Sequence, residues 1–196
     1  SFYSDIAREV LNDIGYSNDR VGMNGREVEI EVHIVEQSPD IARGLDKKTK
    51  IDQGAGDQGS MFGFACSETD QLMPLPIYLA HQLAEKLTQV RKTNELDFLR
   101  PDGKTQVTIK YNGFTPVEIS KVVIATQHND LLQRFSGKIK KEQEYIKNSL
   151  VESVVNPIIS EYNIPFSGNI TVNGTGRFVK GGPGADTGLT GRKIIV

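Results

Sequence analysis

The segment QVTIKYNGFTPVEISKVVIATQ, residues Gln106–Gln127, contains the clearest structural signal in the sequence. Apolar residues alternate with polar ones over Gln106–Tyr111, and Lys121–Gln127 is rich in β-branched residues; both patterns are typical of strands. The dipeptide Asn112-Gly113 lies between them and is a strong signal for a tight turn. We therefore predict two antiparallel strands joined as a hairpin.

Helical and strand patterns alternate outside the hairpin, without the strict rhythm of a parallel α/β fold. Leucines at helical spacing predict a helix over Ile77–Arg91, entered at Pro74 and Pro76. The other predicted elements are a helix over Ile6–Ile14 capped by Gly15, a strand over Val28–Ile34, a polar mobile loop after Gln37-Ser38-Pro39-Asp40, and a helix over Glu142–Ser160 that bends or ends at Pro157. The fold class is α+β (mixed α/β), with helices covering one side of the sheets.

Composition excludes several classes of protein. The 196 residues include 23 Lys plus Arg and 25 Asp plus Glu, a net charge of −2, which argues against a general nucleic-acid or anionic-membrane binder. No apolar run is long enough to cross a bilayer and no signal peptide is evident, so we expect a cytoplasmic protein. The single cysteine, Cys66, is expected in the core, and with three histidines it cannot build a Cys/His zinc site.

Glycines point to an anion site. Eleven of the 19 glycines lie in the stretches 54–63 and 174–191. Glycine lets backbone amides approach an oxyanion, although tight turns and bulges account for such clusters equally well. The second stretch and the residues next to it contain four cations and one acid, a balance that favours a polyphosphate site: Arg177, Lys180, Arg192 and Lys193, with Asp186. For Arg192 and Lys193 the alternative is a solvated strand end.

Two further stretches combine charge with turn residues. Arg100-Pro101-Asp102-Gly103-Lys104 reads as a turn that projects side chains into a site, or as a surface turn with an internal ion pair. Asp57 lies between glycines and either meets a ligand or caps a turn. Neither GxxxxGK[ST] nor a GxGxxG that opens a helix after a strand occurs, which disfavours the Walker and Rossmann classes.

Five strings, in order, closely resemble the methionine adenosyltransferase (S-adenosylmethionine synthetase) family. They are QGAGDQG at 53–59 with MFG at 61–63, MPLP at 73–76, RPDGKTQV at 100–107, GRFV at 176–179, and GGP at 181–183 followed by Asp186 and GLTGRKII at 188–195. The resemblance implies that methionine sulfur attacks the ribose 5′ carbon of ATP, and that triphosphate is expelled and then hydrolysed. It also implies Mg²⁺ and K⁺ as cofactors, with no metal ligands expected in this chain.

The resemblance assigns roles to single residues. Lys104, Arg192 and Lys193 are the expected catalytic cations, and Phe178 is expected to stack on adenine. The ATP-binding residues would be Asp102, Gly103, Lys104, Arg177, Phe178, Asp186, Arg192 and Lys193. The methionine-binding residues would be Gln37, Asp57 and Asp186.

The resemblance also implies a domain plan. Residues 1–50 would be the remnant of an N-terminal domain with a mobile active-site loop at about 37–47, residues 51–180 the central domain, and 181–196 the first strand of a C-terminal domain. Three such domains surround a pseudo-threefold axis in the family, and subunits pair through apolar sheet faces as a homodimer or a dimer of dimers.

The start at Ser1 without Met and the apolar end at Val196 suggest a partial chain. The family's Gly-His-Pro-Asp-Lys string has no counterpart here. An alternative function is therefore a non-catalytic homologue that binds nucleotide or assists oligomerisation.

Overall fold

A computed structural model describes residues 2–36, 38–45, 49, 51–54 and 59–186. Its helices are α1 (Phe2–Ile14), α2 (Pro39–Leu45), α3 (Leu75–Lys92), α4 (Ile139–Leu150) and α5 (Asn156–Ile159), with a 3₁₀ turn at Asp19–Val21 and a π-helical segment at Val151–Val155. Its strands are β1 (Ser17–Asn18), β2 (Met23–Asn24), β3 (Leu99–Asn112), β4 (Thr115–His128) and β5 (Ile170–Val172). The predicted α+β class is confirmed.

The main sheet has the strand order β3-β4-β5. β3 and β4 form the predicted antiparallel hairpin, with Asn112 opposite Thr115 and Gly113 in the turn at φ 62°. β5 adds to β4 in parallel, with Val123 opposite Thr171. Both hairpin strands have 14 residues and extend well beyond the predicted limits.

The longer β3 corrects one prediction. Arg100–Lys104 is not a turn between elements, because these residues belong to β3 and pair with the end of β4. Leu99 lies opposite His128 and Gly103 opposite Thr126, so the residues 100–102 of β3 face only Gln127 of β4. This irregularity is a bulge, which bends a strand and redirects its side chains.

Helix α3 covers one face of the sheet. Its buried residues recur at helical spacing, as predicted, and Leu79, Leu83 and Val90 are fully buried. The helix begins after Pro74 and has Pro76 in its first turn, where a missing N–H leaves no helical hydrogen bond unmade. The core combines this stripe with the inner residues of the hairpin and the later helices: Phe98, Val107, Ile119, Val122, Ile124, Ile146, Leu150 and Val154.

The predicted helix over Glu142–Ser160 is present but is not uniform. α4 passes through the π-helical segment into α5, and α5 ends at Ile159, two residues after Pro157. The proline lies in the first turn of α5, where it is tolerated. The helix ends one residue before the predicted limit at Ser160, and the effect of Pro157 on its last turn stays a prediction.

The N-terminal region departs furthest from prediction. α1 ends at Ile14 and is followed by Gly15, which has φ 113° and donates its N–H to Leu11 O at 3.2 Å, as expected of a C-terminal glycine. The strand predicted over Val28–Ile34 is absent, and the predicted loop after Pro39 contains α2. Within the described residues no strand lies beside 28–34 to supply ladder hydrogen bonds, and Ile34 remains 65% exposed.

Two smaller expectations also change. Cys66 is only partly buried, since the neighbouring Phe62 and Phe64 point into solvent and form no core around it. The sheet face opposite α3 is not strongly apolar, because Lys104, Gln106 and Lys121 share it with Val123 and Ala125. Among the described residues no helix is both long and apolar enough to cross a membrane.

The buried stripe of α3 can be tested by truncation. Leu83→Ala is expected to lower the free energy of unfolding by about 3 kcal/mol, because it opens a cavity at a side chain with no exposed surface. Urea denaturation followed by circular dichroism measures the change. Thr88→Ala, on the exposed face of the same helix, should change it by less than about 0.5 kcal/mol. Equal effects of the two variants would contradict this packing.

Candidate functional site

The bulge in β3 determines where Asp102 points. Asp102 Oδ2 accepts a hydrogen bond of 2.9 Å from the backbone N–H of Gly182. The two residues are 80 positions apart in the chain, so this bond ties the glycine-rich segment to the end of the hairpin. Asp102 therefore binds the backbone of the glycine-rich segment at the point where the pairing of β3 with β4 is interrupted.

Close approach explains two of the clustered glycines. A Cβ on Gly181 would lie 2.7 Å from Phe178 Cε2 and 3.0 Å from Asp102 Oδ2. Gly182 has φ 73°, and a Cβ there would lie 2.8 Å from Tyr16 Cε1. No side chain fits at either position without displacement of its neighbours. At these two glycines the structure supports the alternative of a tight turn required by packing.

Asn173 redirects the chain between β5 and Phe178. It has φ 45°, and its side chain takes the place of a strand backbone: Oδ1 accepts from Thr126 N at 2.9 Å, and Nδ2 donates to Thr126 O at 3.2 Å. Gly176, at φ 114°, then lets the chain return to the sheet. There His128 N donates to Phe178 O at 2.9 Å. Phe178 is thus paired with the last residue of β4.

Arg177 is engaged by two acids. Its Nε donates to Glu142 Oε2 at 2.6 Å, its Nη2 donates to Glu142 Oε1 at 3.1 Å, and Nη2 also contacts Asp130. Such a forked contact is the strong form of an arginine–carboxylate pair. The hydrogen bonds that Arg177 donates to Glu142 raise the pKa of Arg177, so the guanidinium stays charged. A role of Arg177 in ATP binding remains a prediction, since this guanidinium already has two carboxylate partners.

Glu142 is the buried member of this cluster. Its side chain has no exposed surface, and Oε1 also accepts from Leu131 N at 2.9 Å. Burial alone would raise the pKa of Glu142, but the hydrogen bonds from Arg177 and Leu131 and the positive charge of Arg177 outweigh it, so the pKa lies below its usual value. Glu142 is therefore ionised at neutral pH and holds Arg177 in place.

Lys104 has a different environment. It lies opposite Ala125, on the same sheet face as Gln127, and its side chain is exposed. Within the described part of the chain, no hydrogen bond or ion pair engages its ammonium group. Asp186 is also exposed, and its backbone N–H donates to Gly182 O at 3.1 Å. Lys104 is thus an unengaged cation two residues along β3 from Asp102, which binds Gly182 of the segment 178–186.

A cavity of about 300 Å³ lies next to this segment. It is lined by Asp19, Arg20, Gly22, Gln127, Val179, Lys180, Gly181, Gly184 and Ala185. Gln127 is 1% exposed; its Nε2 donates to Val179 O at 3.1 Å, and its Oε1 has no protein partner among the described residues. The cavity joins the N-terminal region to the glycine-rich segment.

Four predicted site residues cannot be placed. Gln37, Asp57, Arg192 and Lys193 lie outside the described residues. Of the others, the structure brings together Asp102, Phe178 and the segment leading to Asp186, and it places Gly103 and Lys104 one step along β3. Gly103 faces α3, since a Cβ there would lie 3.0 Å from Leu87 Cδ2.

Sequence reasoning missed three residues that order the site: Glu142, Asn173 and His128. One signal for Glu142 was available, because it precedes Ile146, Leu150 and Val154 at intervals of four and so falls on the apolar stripe. No local pattern marks Asn173 or His128, whose contacts are with residues 47 and 50 positions away.

Comparison with known proteins identifies the family. The family described as "S-adenosylmethionine synthetase, central domain" matches residues 52–178, about two thirds of the chain. The chain belongs to the S-adenosylmethionine synthetase family. The matched region contains Asp102, Lys104, Glu142 and Phe178, and the predicted resemblance is confirmed.

Two curated relatives extend the match beyond the central domain. An S-adenosylmethionine synthase of Petrotoga mobilis is 46% identical over 100% of this chain and 50% of its own length. One of Nitratidesulfovibrio vulgaris is 47% identical over 97% of this chain and 47% of its own length. The chain spans about half the length of these S-adenosylmethionine synthases.

Gly181→Ala tests the packing of the glycine-rich segment. The added methyl must displace Phe178 or Asp102, so we expect the free energy of unfolding to fall by about 2 kcal/mol. Gly63→Ala is the matched control, because a Cβ there meets nothing within 4 Å. Equilibrium urea denaturation measures both variants. If Gly181→Ala is as stable as Gly63→Ala, the close approach of Phe178 to Gly181 is wrong.

Glu142→Gln tests the buried ion pair. We expect it to lower the free energy of unfolding by about 3 kcal/mol at pH 7, because Arg177 loses its buried partner. A folded-state pKa below the usual 4.5 means that the ionised carboxylate stabilises the fold above that pH, and that this contribution is lost as the pH falls through the folded pKa. The difference between wild type and Glu142→Gln should therefore shrink in acid.

Denaturation curves at pH 7 and below pH 4.5 measure this difference. Glu144→Gln, exposed on the same helix, is the control and should change the stability by less than about 0.5 kcal/mol. A difference between wild type and Glu142→Gln that is independent of pH would contradict the role of the ionised carboxylate.

Proposed function

We propose that the whole protein is an ATP:methionine adenosyltransferase that makes S-adenosylmethionine. Methionine sulfur attacks the 5′ carbon of the ATP ribose, a C–S bond forms, the C–O bond to triphosphate breaks, and the triphosphate is then hydrolysed. The observation that best supports this is Lys104, an exposed cation that no group among the described residues engages, on the strand whose Asp102 binds Gly182 of the glycine-rich segment, in a chain of the S-adenosylmethionine synthetase family.

Lys104 would bind the polyphosphate. The leaving triphosphate gains negative charge as the C–O bond breaks, so a fixed cation lowers the energy of the transition state more than that of bound ATP. Lys104 extends from the middle of a paired strand, which limits the motion of its backbone. Sulfur is already nucleophilic in the thioether, so the reaction requires no base to activate it.

Phe178 would hold the adenine. Its ring is partly exposed and packs over Gly181, and such an aromatic face is suited to stacking on a base. Asp102 would support the position of Phe178 indirectly, because its carboxylate binds the backbone N–H of Gly182. Asp186 would contact both substrates, and the exposure of its carboxylate is consistent with that role.

The remaining assignments rest on the family resemblance. Arg192 and Lys193 would add to the cations on the triphosphate, and Gln37 and Asp57 would bind methionine. We also propose a homodimer or dimer of dimers with shared active sites, in the cytoplasm, with the domain boundaries given above.

Mg²⁺ and K⁺ are the cofactors proposed from the family. Within the described ranges no three His, Cys, Asp or Glu side chains cluster so as to hold a metal ion. When bound, Mg²⁺ would neutralise charge on the polyphosphate.

The first test is product formation by the full-length polypeptide with ATP, methionine, Mg²⁺ and K⁺. We expect S-adenosylmethionine by mass spectrometry, with phosphate and diphosphate in equal amounts from the triphosphate. Omission of methionine is the control. Nucleotide binding without any product would instead support the non-catalytic homologue.

The second test removes the charge of Lys104. Lys104→Met in the full-length enzyme is expected to lower kcat by about 100-fold, because the developing negative charge loses a fixed cation. Lys110→Met provides a matched control, since Lys110 is an exposed lysine farther along the same strand. Steady-state kinetics with varied ATP measure both variants. Similar kcat values for the two would contradict the role of Lys104.

A further inference from the structure

His128 ends β4 and is completely buried. Its backbone N–H donates to Phe178 O at 2.9 Å, and its ring Nε2 lies 3.2 Å from Phe178 N. One residue thus engages both backbone polar groups of Phe178, which the proposed function places against adenine. No ligand can touch a side chain that has no exposed surface, so His128 cannot act on a substrate directly.

The partners of the ring determine its tautomer. Nδ1 lies 2.7 Å from the carbonyl oxygen of Asn129, which can only accept, so Nδ1 carries the hydrogen. The backbone N–H of Phe178 can only donate, so Nε2 must be the unprotonated acceptor. Both ring nitrogens are therefore satisfied by the neutral Nδ1–H form, and neither hydrogen bond can be made by an apolar side chain of similar size.

We propose that His128 is a positioning residue for nucleotide binding, whose Nε2 acceptor fixes the backbone of Phe178 so that its ring presents a constant face to the adenine. This inference rests on the proposed function. It explains why a polar ring lies fully buried at the end of β4, on the face where Val122, Ile124 and Thr126 are also buried.

The contacts described for the neighbouring residues do not hold the backbone of Phe178, whereas those of His128 do. Glu142 and Asp130 hold the side chain of Arg177, and Asp102 holds the backbone of Gly182. The backbone of Phe178 lies between these two anchored points, and His128 provides both of the hydrogen bonds described for it. A small rotation of the Phe178 backbone would move its whole aromatic ring. Small misplacements of binding groups have large kinetic effects.

A pair of substitutions in the full-length enzyme separates positioning from polarity. In His128→Gln the amide oxygen is as many bonds from Cα as Nε2 is, so it can accept from Phe178 N–H. In His128→Asn the amide group reaches only as far as Nδ1, so it can donate to Asn129 O but leaves Phe178 N–H without its acceptor.

We expect His128→Asn to raise KM for ATP about tenfold, with kcat and KM for methionine nearly unchanged. His128→Gln should stay within about twofold of wild type in all three constants. Thermal unfolding of both variants reports their stability. A KM for ATP that is equal in the two variants would overturn the inference, whether or not both are less stable.

A measurement on unaltered protein covers the case in which His128→Asn does not fold. Selective ¹⁵N-histidine labelling of the full-length enzyme should give a His128 ring signal of the Nδ1–H form, with Nε2 unprotonated. The chemical shift of Nε2 should change when ATP is added without methionine. A signal from protonated Nε2, or one that ATP does not change, would overturn the inference. If wild type makes no S-adenosylmethionine and binds no ATP, the proposed function fails instead.

Discussion

Backbone hydrogen bonds between β3 and β4 determine which side chains of each strand face α3 and which face away. In this register Val107 and Val122 lie inward together, while Lys104 and Ala125 lie outward. A shift of one residue would exchange the two faces and expose the apolar set, so burial under α3 specifies the register strongly. The placement of Lys104 and Gln127 on the outer face follows from this pairing.

The same pairing is interrupted where the candidate site forms. Three residues of β3 face Gln127 alone, and this bulge directs Asp102 to Gly182. On the other side of β4, the Asn173 side chain replaces a backbone partner for Thr126. Both irregularities supply side chains that hold the glycine-rich segment against the sheet, the Asp102 carboxylate at Gly182 and the Asn173 amide at Thr126.

Buried polar side chains hold Arg177 and Phe178, which lead into the glycine-rich segment, in fixed positions. Glu142 faces Arg177 from α4, and His128 faces Phe178 from β4, so two elements of the central domain hold adjacent residues. An unpartnered buried carboxylate or imidazole would be unfavourable, and each is fully engaged here. Lys104 remains unengaged within the described part of the chain. Lys180 in the segment itself is likewise exposed and without a hydrogen bond or ion pair among the described residues, so the site combines a rigid frame with available cations.

The hairpin, α1, α3 and the α4–α5 region are predictable from the sequence, because their periodicity and their turn and cap residues act over a few positions. The sequence also identified the family, and the family resemblance predicts the residues of the proposed site. Tertiary structure alone decided that Arg100–Lys104 lies within a bulged strand, that residues 28–34 form no strand, and that Glu142, Asn173 and His128 order the site. The bulged strand and the contacts of Glu142, Asn173 and His128 depend on partners that lie far along the chain, 21 positions away for Lys104 and Ala125 and 35 or more for the other three. Residues 28–34 lack a strand partner within the described residues. Of these outcomes, only the burial of Glu142 has a local signal, its place on the apolar stripe of α4.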